Sequence, residues 1–132
     1  MTDLVTTRLI LRPITRADAP AIQKYFPHWE IVKYLTSAVP WPYPPDGAEL
    51  YMDTFLPKVA AGQDYIWGIR LKAYLDDPLR DEVIGLIHYH GASPEDKESI
   101  PTRGFWMAQE FQGQGYMTEA VDRKSTRLNS SH

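Results

Sequence analysis

The chain has 132 residues, no cysteine and a formal charge of −3, with 43% hydrophobic and 12% aromatic residues. That composition fits one globular domain, and it excludes a disulfide scaffold, a thiol nucleophile and any acyl-cysteine intermediate. No basic stripe marks a nucleic-acid partner, and every apolar run is short and interrupted, so neither a membrane span nor a secretory leader is expected and a cytoplasmic address is the default.

In chain order, Leu9–Arg12 reads as a short strand with Leu9 and Leu11 on one face. Asp18 is placed to cap a helix that runs to about Phe26, with Pro20 in its first turn, where a missing N–H costs little. Ile31–Leu35 suggests a second short helix. Pro40-Trp41-Pro42-Tyr43-Pro44-Pro45 cannot be helix or central strand, because proline removes donors and fixes the backbone. It is either a rigid connector whose rings cap the core or a wall of a pocket. Ala48–Ala61 has helical spacing at Tyr51, Phe55 and Val59, with Pro57 expected to kink it and Gly62 to end it. Tyr65–Tyr74 and Val83–His90 alternate as strands around an Asp76-Asp77-Pro78 turn and are expected to pair. Gly91–Thr102 reads as a surface loop leading to a further strand at Gly104.

That strand opens the most informative stretch of the chain, Gly104 to Ala120. A strand, a tight Gln112-Gly113-Gln114-Gly115 turn and a helix start aim backbone N–H groups at one point, beside the positive end of a helix dipole. An anion of pyrophosphate type suits such a turn, and glycine lets it approach the backbone. The Gly-x-x-x-x-Gly-Lys loop of nucleotide triphosphate sites is absent, and Thr118 stands where a dinucleotide fingerprint has its third glycine.

With Gln112, Gly115 and Met117 at its fixed positions, the stretch resembles the Gln/Arg-x-x-Gly-x-Gly/Ala motif by which GNAT-superfamily N-acyltransferases bind acetyl-CoA. Met117 departs from the small residue usual at the last position. The run Gly115-Tyr-Met-Thr-Glu-Ala120 is similar to the branch containing ribosomal-protein alanine N-acetyltransferases. So is Thr7-Arg8-Leu9-Ile10-Leu11-Arg12-Pro13 followed by Asp18-Ala19. The resemblance implies an α/β (α+β) architecture, the N-terminal portion of an acyl-CoA N-acyltransferase fold with a mainly antiparallel sheet flanked by helices. It implies acetyl-CoA as acyl donor, held by Met107, Ala108, Gln112, Gly113, Gln114, Gly115, Tyr116 and Met117. Backbone N–H groups around Met107 and Ala108 would stabilise the thioester oxygen. The acceptor would be a small-molecule amine or a protein N-terminus, with Trp41, Tyr43 and His90 on its side of the site.

No general base or acid stands out. Glu110, at the end of the motif strand, reads as a solvated carboxylate or as a base near the arriving amine. His88 and His90 share one strand face, which suits a base or a metal; without a third ligand the pair reads as structural and no metal is assigned. Glu119 is expected to pack or cap within the motif helix, and His28 has no distinguishing context.

Residues 1–121 are read as the N-terminal portion of the domain. Asp122–His132 has no apolar period, carries a net charge of +2 and leaves −5 on the rest. It resembles a translated sequencing adapter and is expected to be non-native, so the chain alone is expected to lack a second cofactor wall and to be an inactive fragment. The alternative reading is a non-catalytic acyl-CoA-binding remnant. Nothing in the sequence speaks to oligomeric state.

Overall fold

The computed structural model describes residues 3–35, 39–90 and 104–129, with side-chain surroundings to Asp122. The expected loop at 91–102 lies outside them. Strands β1 (Leu4–Val5), β2 (Leu9–Pro13), β3 (Asp64–Leu71), β4 (Gly85–His90) and β5 (Gly104–Met107) form one sheet in that order. Every pairing is antiparallel, and each strand pairs with the next one in sequence. Helices α1 (Ala19–Tyr25), α2 (Trp29–Val32) and α3 (Gly47–Ala60) lie between β2 and β3, and α4 (Tyr116–Asn129) follows β5.

The expected β3–β4 hairpin is present, with Tyr65 opposite Tyr89 and Trp67 opposite Ile87. Its edges differ from the sequence reading. The ladder ends at Leu71, and Lys72–Tyr74 turns into a 3-10 helix. β4 starts at Gly85 rather than Val83, where a Cβ would meet the Met107 sulfur at 3.1 Å and the Trp106 carbonyl at 2.8 Å. β1 is an addition: with two residues it carries no readable alternation and exists by pairing with β2. The second helix covers Trp29–Val32 instead of Ile31–Leu35.

α3 runs through Pro57 as one element, with Ala61 N–H bonded to the Pro57 carbonyl at 3.0 Å. Proline lies in its last turn, so only one backbone bond, to the carbonyl four residues earlier, is forgone. Gly62 follows with φ +75°, the left-handed stop that glycine tolerates.

Strand alternation sorts the core onto two sheet faces. Ile66, His88 and Gly104 stand opposite one another across β3–β5, as do Gly68, Leu86 and Trp106. This face is covered by α1 and α3, since Phe26 meets the Trp106 ring at 5.2 Å and Tyr51 meets His88. Leu9, Leu11, Ile69, Trp67 and Tyr89 fill the other face, and α4 packs at its β1–β2 end. Asp18, itself buried, precedes α1 and accepts from the Thr15 N–H at 2.9 Å, while its other oxygen pairs with partly buried Arg70 at 2.6 Å, tying the helix layer to β3. Among the described residues no helix is long and apolar enough to cross a membrane.

Candidate active site

The site is built on β5 and the turn that follows it. After Met107 the chain passes through a 3-10 turn, Gln109–Phe111, and reaches α4 by way of Gly113 (φ +77°) and Gly115 (φ +80°). Both angles lie in the left-handed region, where a Cβ costs roughly 1–2 kcal/mol. Space is not the constraint: a Cβ at Gly113 would meet nothing within 4 Å, and at Gly115 only the tip of Arg8 at 3.5 Å. The paired left-handed residues turn successive amides outward. From Gly113 to Thr118 the backbone N–H groups have no hydrogen-bond partner among the described residues, whereas Glu119 N–H already bonds Gly115 at 3.0 Å. Unpartnered amides at the start of α4 form an anion cradle. Gln112 braces it by donating from its side-chain amide to the Met107 carbonyl at 2.8 Å.

β5 is the sheet's edge among the described residues. Ala108 donates to the Ile84 carbonyl at 2.7 Å, so its amide is committed to β4. Antiparallel alternation then points the N–H groups of Phe105 and Met107 away from β4, to the open side. Of the two amides expected to face the thioester oxygen, that of Met107 lies on the open side together with that of Phe105, and that of Ala108 is bonded to Ile84.

A clasp from the N-terminal hairpin holds the cradle. Glu119 on α4 accepts from the Arg8 backbone at 3.0 Å, from the Arg8 guanidinium at 2.7 Å and from the Thr6 hydroxyl. Arg8 also donates to the Gln114 carbonyl at 3.0 Å and lies 4.4 Å over the Tyr116 ring. Burial pushes the Glu119 carboxyl up, but the Thr6 and Arg8 hydrogen bonds outweigh it and hold the group below the usual carboxylate range. Glu119 thus binds the motif helix to another element rather than capping within it.

On the helix-covered face a cavity of about 310 Å³ opens between α1, the proline-rich loop, α3 and the β4–β5 floor. Its walls are mostly apolar, with Phe26, Tyr43, Phe55, Leu86 and Trp106 among them, and it reaches β5 along Gly104–Trp106. One polar constellation enters this lining. Tyr51 Oη lies 2.6 Å from His88 Nδ1, and His88 Nε2 lies 2.6 Å from Asp64 Oδ2. His90 Nδ1 meets the other Asp64 oxygen at 2.5 Å. Asp64 and His88 are buried, and Tyr51 and His88 both line the cavity. Burial drives the Asp64 carboxyl up, but hydrogen bonds from His90 and His88 prevail and hold it below its ordinary value.

Of the residues assigned to the acceptor side, Tyr43 lies in the cavity wall, its ring 5.1 Å from Phe26. Trp41 is outside the described lining, half-exposed, with its ring 5.5 Å from that of Trp29 and tilted by 48° to it. His90 is exposed and braces Asp64 from behind. His88 and His90 are therefore not equivalent, although they share a strand face. No group of three or more potential ligands suited to a metal ion occurs among the described residues. Glu110 is exposed in the 3-10 turn, with its carbonyl accepting weakly from Gln114 at 3.4 Å. Tyr51 and Asp64 went unnoticed in the sequence as site residues. A tyrosine at helical spacing reads as core, and an aspartate before a strand reads as a turn.

A sheet edge with outward amides runs into a glycine turn at a helix start, a form suited to an extended ligand that ends in an anion. The profile of the acetyltransferase (GNAT) domain matches residues 8–127, and the chain belongs to that family. No curated protein sequence matches it significantly. Among solved structures it is similar to RimL, a ribosomal alpha-N-protein acetyltransferase in complex with coenzyme A, at 18% identity and TM-score 0.67, covering 93% of this chain and 64% of that one. A Salmonella typhimurium acetyl transferase that modifies the N-terminal serine of a ribosomal subunit protein aligns at 18% identity and TM-score 0.65, covering 94% and 65%. The microcin C7 self immunity acetyltransferase MccE, in complex with acetyl-CoA and AMP, aligns at 14% and 0.67, covering 96% and 65%. The chain thus spans under two thirds of the length of these structures, and at such identities the likeness is one of fold.

Proposed function

We propose that the protein transfers an acetyl group from acetyl-CoA to an amine, a small molecule or a protein N-terminus. The observation that carries this reading is the continuity of β5 with the cradle. The open-edge amides of Phe105 and Met107 lead into the unpartnered amides of Gly113–Thr118. An extended chain ending in a pyrophosphate matches that track, amide edge first and anion cradle last. Of the similar structures, one is a complex with coenzyme A and another with acetyl-CoA, which supports the donor, and two act on a ribosomal protein, which supports an amine acceptor.

Acetyl-CoA supplies a thioester carbonyl open to attack and a thiolate leaving group. The cradle would hold the pyrophosphate, with Gln112, Gly113, Gln114, Gly115, Tyr116 and Met117 around it. The Met107 and Phe105 amides are oriented for the donor's extended arm. The cavity reaches the edge at Phe105, so that N–H is the one oriented to donate to the thioester oxygen as negative charge develops on it. Met117, longer than the residue usual in the motif, presents its backbone N–H and turns its side chain into the partly buried layer beside the core.

Thiol release from acetyl-CoA tests this directly, because the chain has no cysteine to contribute background. Against the sequence expectation of an inactive fragment, this reading predicts that purified chain releases CoA thiol, and only when a primary amine is present. Release that ignores the amine would make it a thioesterase, and no release with any small amine or N-terminal peptide would refute transfer.

A further inference from the structure

We propose that Tyr51, His88 and Asp64 form the proton relay that deprotonates the acceptor amine, and that the cavity they line holds an apolar or aromatic group carried by that amine. This rests on the acetyl-transfer reading and deepens it. The direction of the hydrogen bonds follows from donor chemistry. An ionised carboxylate only accepts, so both imidazoles beside Asp64 donate to it, His88 from Nε2 at 2.6 Å and His90 from Nδ1 at 2.5 Å. His88 Nδ1 is then the acceptor, and Tyr51 donates its hydroxyl proton to it at 2.6 Å. Carboxylate, imidazole and hydroxyl stand in the order that activates the hydroxyl of serine hydrolases.

Position supports the role. His88 stands directly across the ladder from Gly104, the residue before the Phe105 amide. The relay and that amide therefore border one cavity from the floor and the edge. The rings of Phe55 and Tyr51 pack edge-on against His88 at 4.8 and 5.7 Å, fixing its plane. Burying a carboxylate and an imidazole is costly, and an apolar pair would fill the same space more cheaply.

In the reaction, the amine nitrogen bonds to the thioester carbonyl carbon and the carbon–sulfur bond breaks. The proton shed by nitrogen passes to Tyr51 Oη as the Tyr51 proton moves to His88 Nδ1. Asp64 stabilises the resulting imidazolium, and the proton leaves His88 by the same route to neutralise the departing thiolate through solvent. Tyr51 is the catalytic residue; His88 and Asp64 act through it. The aromatic walls select the substrate: Phe26, Tyr43, Phe55 and Trp106 surround a space of about 310 Å³, the lower end of the range for small-ligand pockets. The acceptor class is a primary amine bearing a phenyl-sized or branched aliphatic group.

Phenethylamine and ethylamine, titrated into the full chain without donor, test the cavity through the ring-nitrogen resonances of His88. Calorimetry with CoA, and acetyl transfer to phenethylamine across pH, are then compared in wild type, Tyr51→Phe and His88→Gln. Phenethylamine is expected to move the His88 resonances at concentrations where ethylamine does not. Tyr51→Phe keeps the ring packing and should bind CoA within about twofold of wild type, yet lose about 100-fold in kcat/KM, the scale of general-base catalysis. His88→Gln should leave in the acidic limb of the pH profile only the protonation of the amine itself. The described groups facing His88 that bear on that limb are Asp64 from β3, His90 along β4, Tyr51 from α3 and Tyr43 across the cavity, and β5 contributes none. Unmoved His88 resonances, or Tyr51→Phe transferring at the wild-type rate, would overturn the proposal, as would a wild-type chain that binds both ligands and transfers nothing. A chain that does not bind CoA would instead overturn the acetyl-transfer reading, and the donor-free titration would still decide whether an apolar amine enters beside Tyr51.

Discussion

Asp64 is the residue on which the buried polar network turns, because two imidazoles use its two oxygens. Its carboxyl is held below the unfolded value of about 3.9, so its stabilising contribution is complete above that pH and is lost as pH falls through the lower folded value. Asp64→Asn keeps one acceptor oxygen but removes the charge, and about 1–3 kcal/mol of stability should go with it at neutral pH. Urea unfolding at pH 7 and pH 3 checks this. The gap between wild type and variant should narrow at the lower pH, and an equal gap would show that Asp64 is not the titrating group. Gly113 offers a simpler case. A Cβ there meets nothing, so Gly113→Ala should cost only the left-handed backbone penalty of roughly 1–2 kcal/mol, read as a lowered urea midpoint with unchanged slope.

Elements were legible from sequence where a local pattern specified them. The β3–β4 hairpin followed from alternation and an Asp-Pro turn, and the cradle from Gly-x-Gly between a strand and a helix. What could not be read depends on packing between distant segments. Tyr51, Asp64 and His88 meet only after α3 folds over the hairpin, and none of the three has a sequence neighbour that hints at the others. The Arg8–Glu119 clasp likewise joins the first hairpin to the last helix. Being partly exposed, it should contribute only about 1 kcal/mol, so Glu119→Gln is expected to lower the melting temperature slightly while weakening CoA binding more clearly, by loosening Gly115 and Tyr116. Equal CoA affinity in that variant would show that the cradle holds its shape unaided. The loop before α3 makes a sharper prediction. A Cβ at Gly47 would collide with the Tyr43 ring, so Gly47→Ala must displace a wall of the cavity. Phenethylamine affinity should fall while CoA affinity stays level, and a fall in both would mean that the two sites are not separable.

At the scale of the molecule, β5 presents two different sides. Its paired side rests on β4 and, with it, floors the cavity; its open side carries the Phe105 and Met107 amides toward the cradle. The Phe105 side chain points to the other sheet face and stays 47% exposed. An open strand with an exposed aromatic ring is a pairing hazard in solution. The account's central claim, however, is that the Gly113–Gly115 turn binds the pyrophosphate of acetyl-CoA, and CoA calorimetry on wild type and Gly115→Asp tests it most directly. Aspartate is among the few side chains that tolerate a left-handed φ, and Gly115 is exposed, so the fold should persist by circular dichroism. Its carboxylate would stand beside the anion cradle and repel phosphate. Submillimolar binding in wild type and a loss of at least about 100-fold in the variant is the predicted result, consistent with displacing a charge-assisted anion contact. Equal CoA affinity in the two proteins would contradict the assignment.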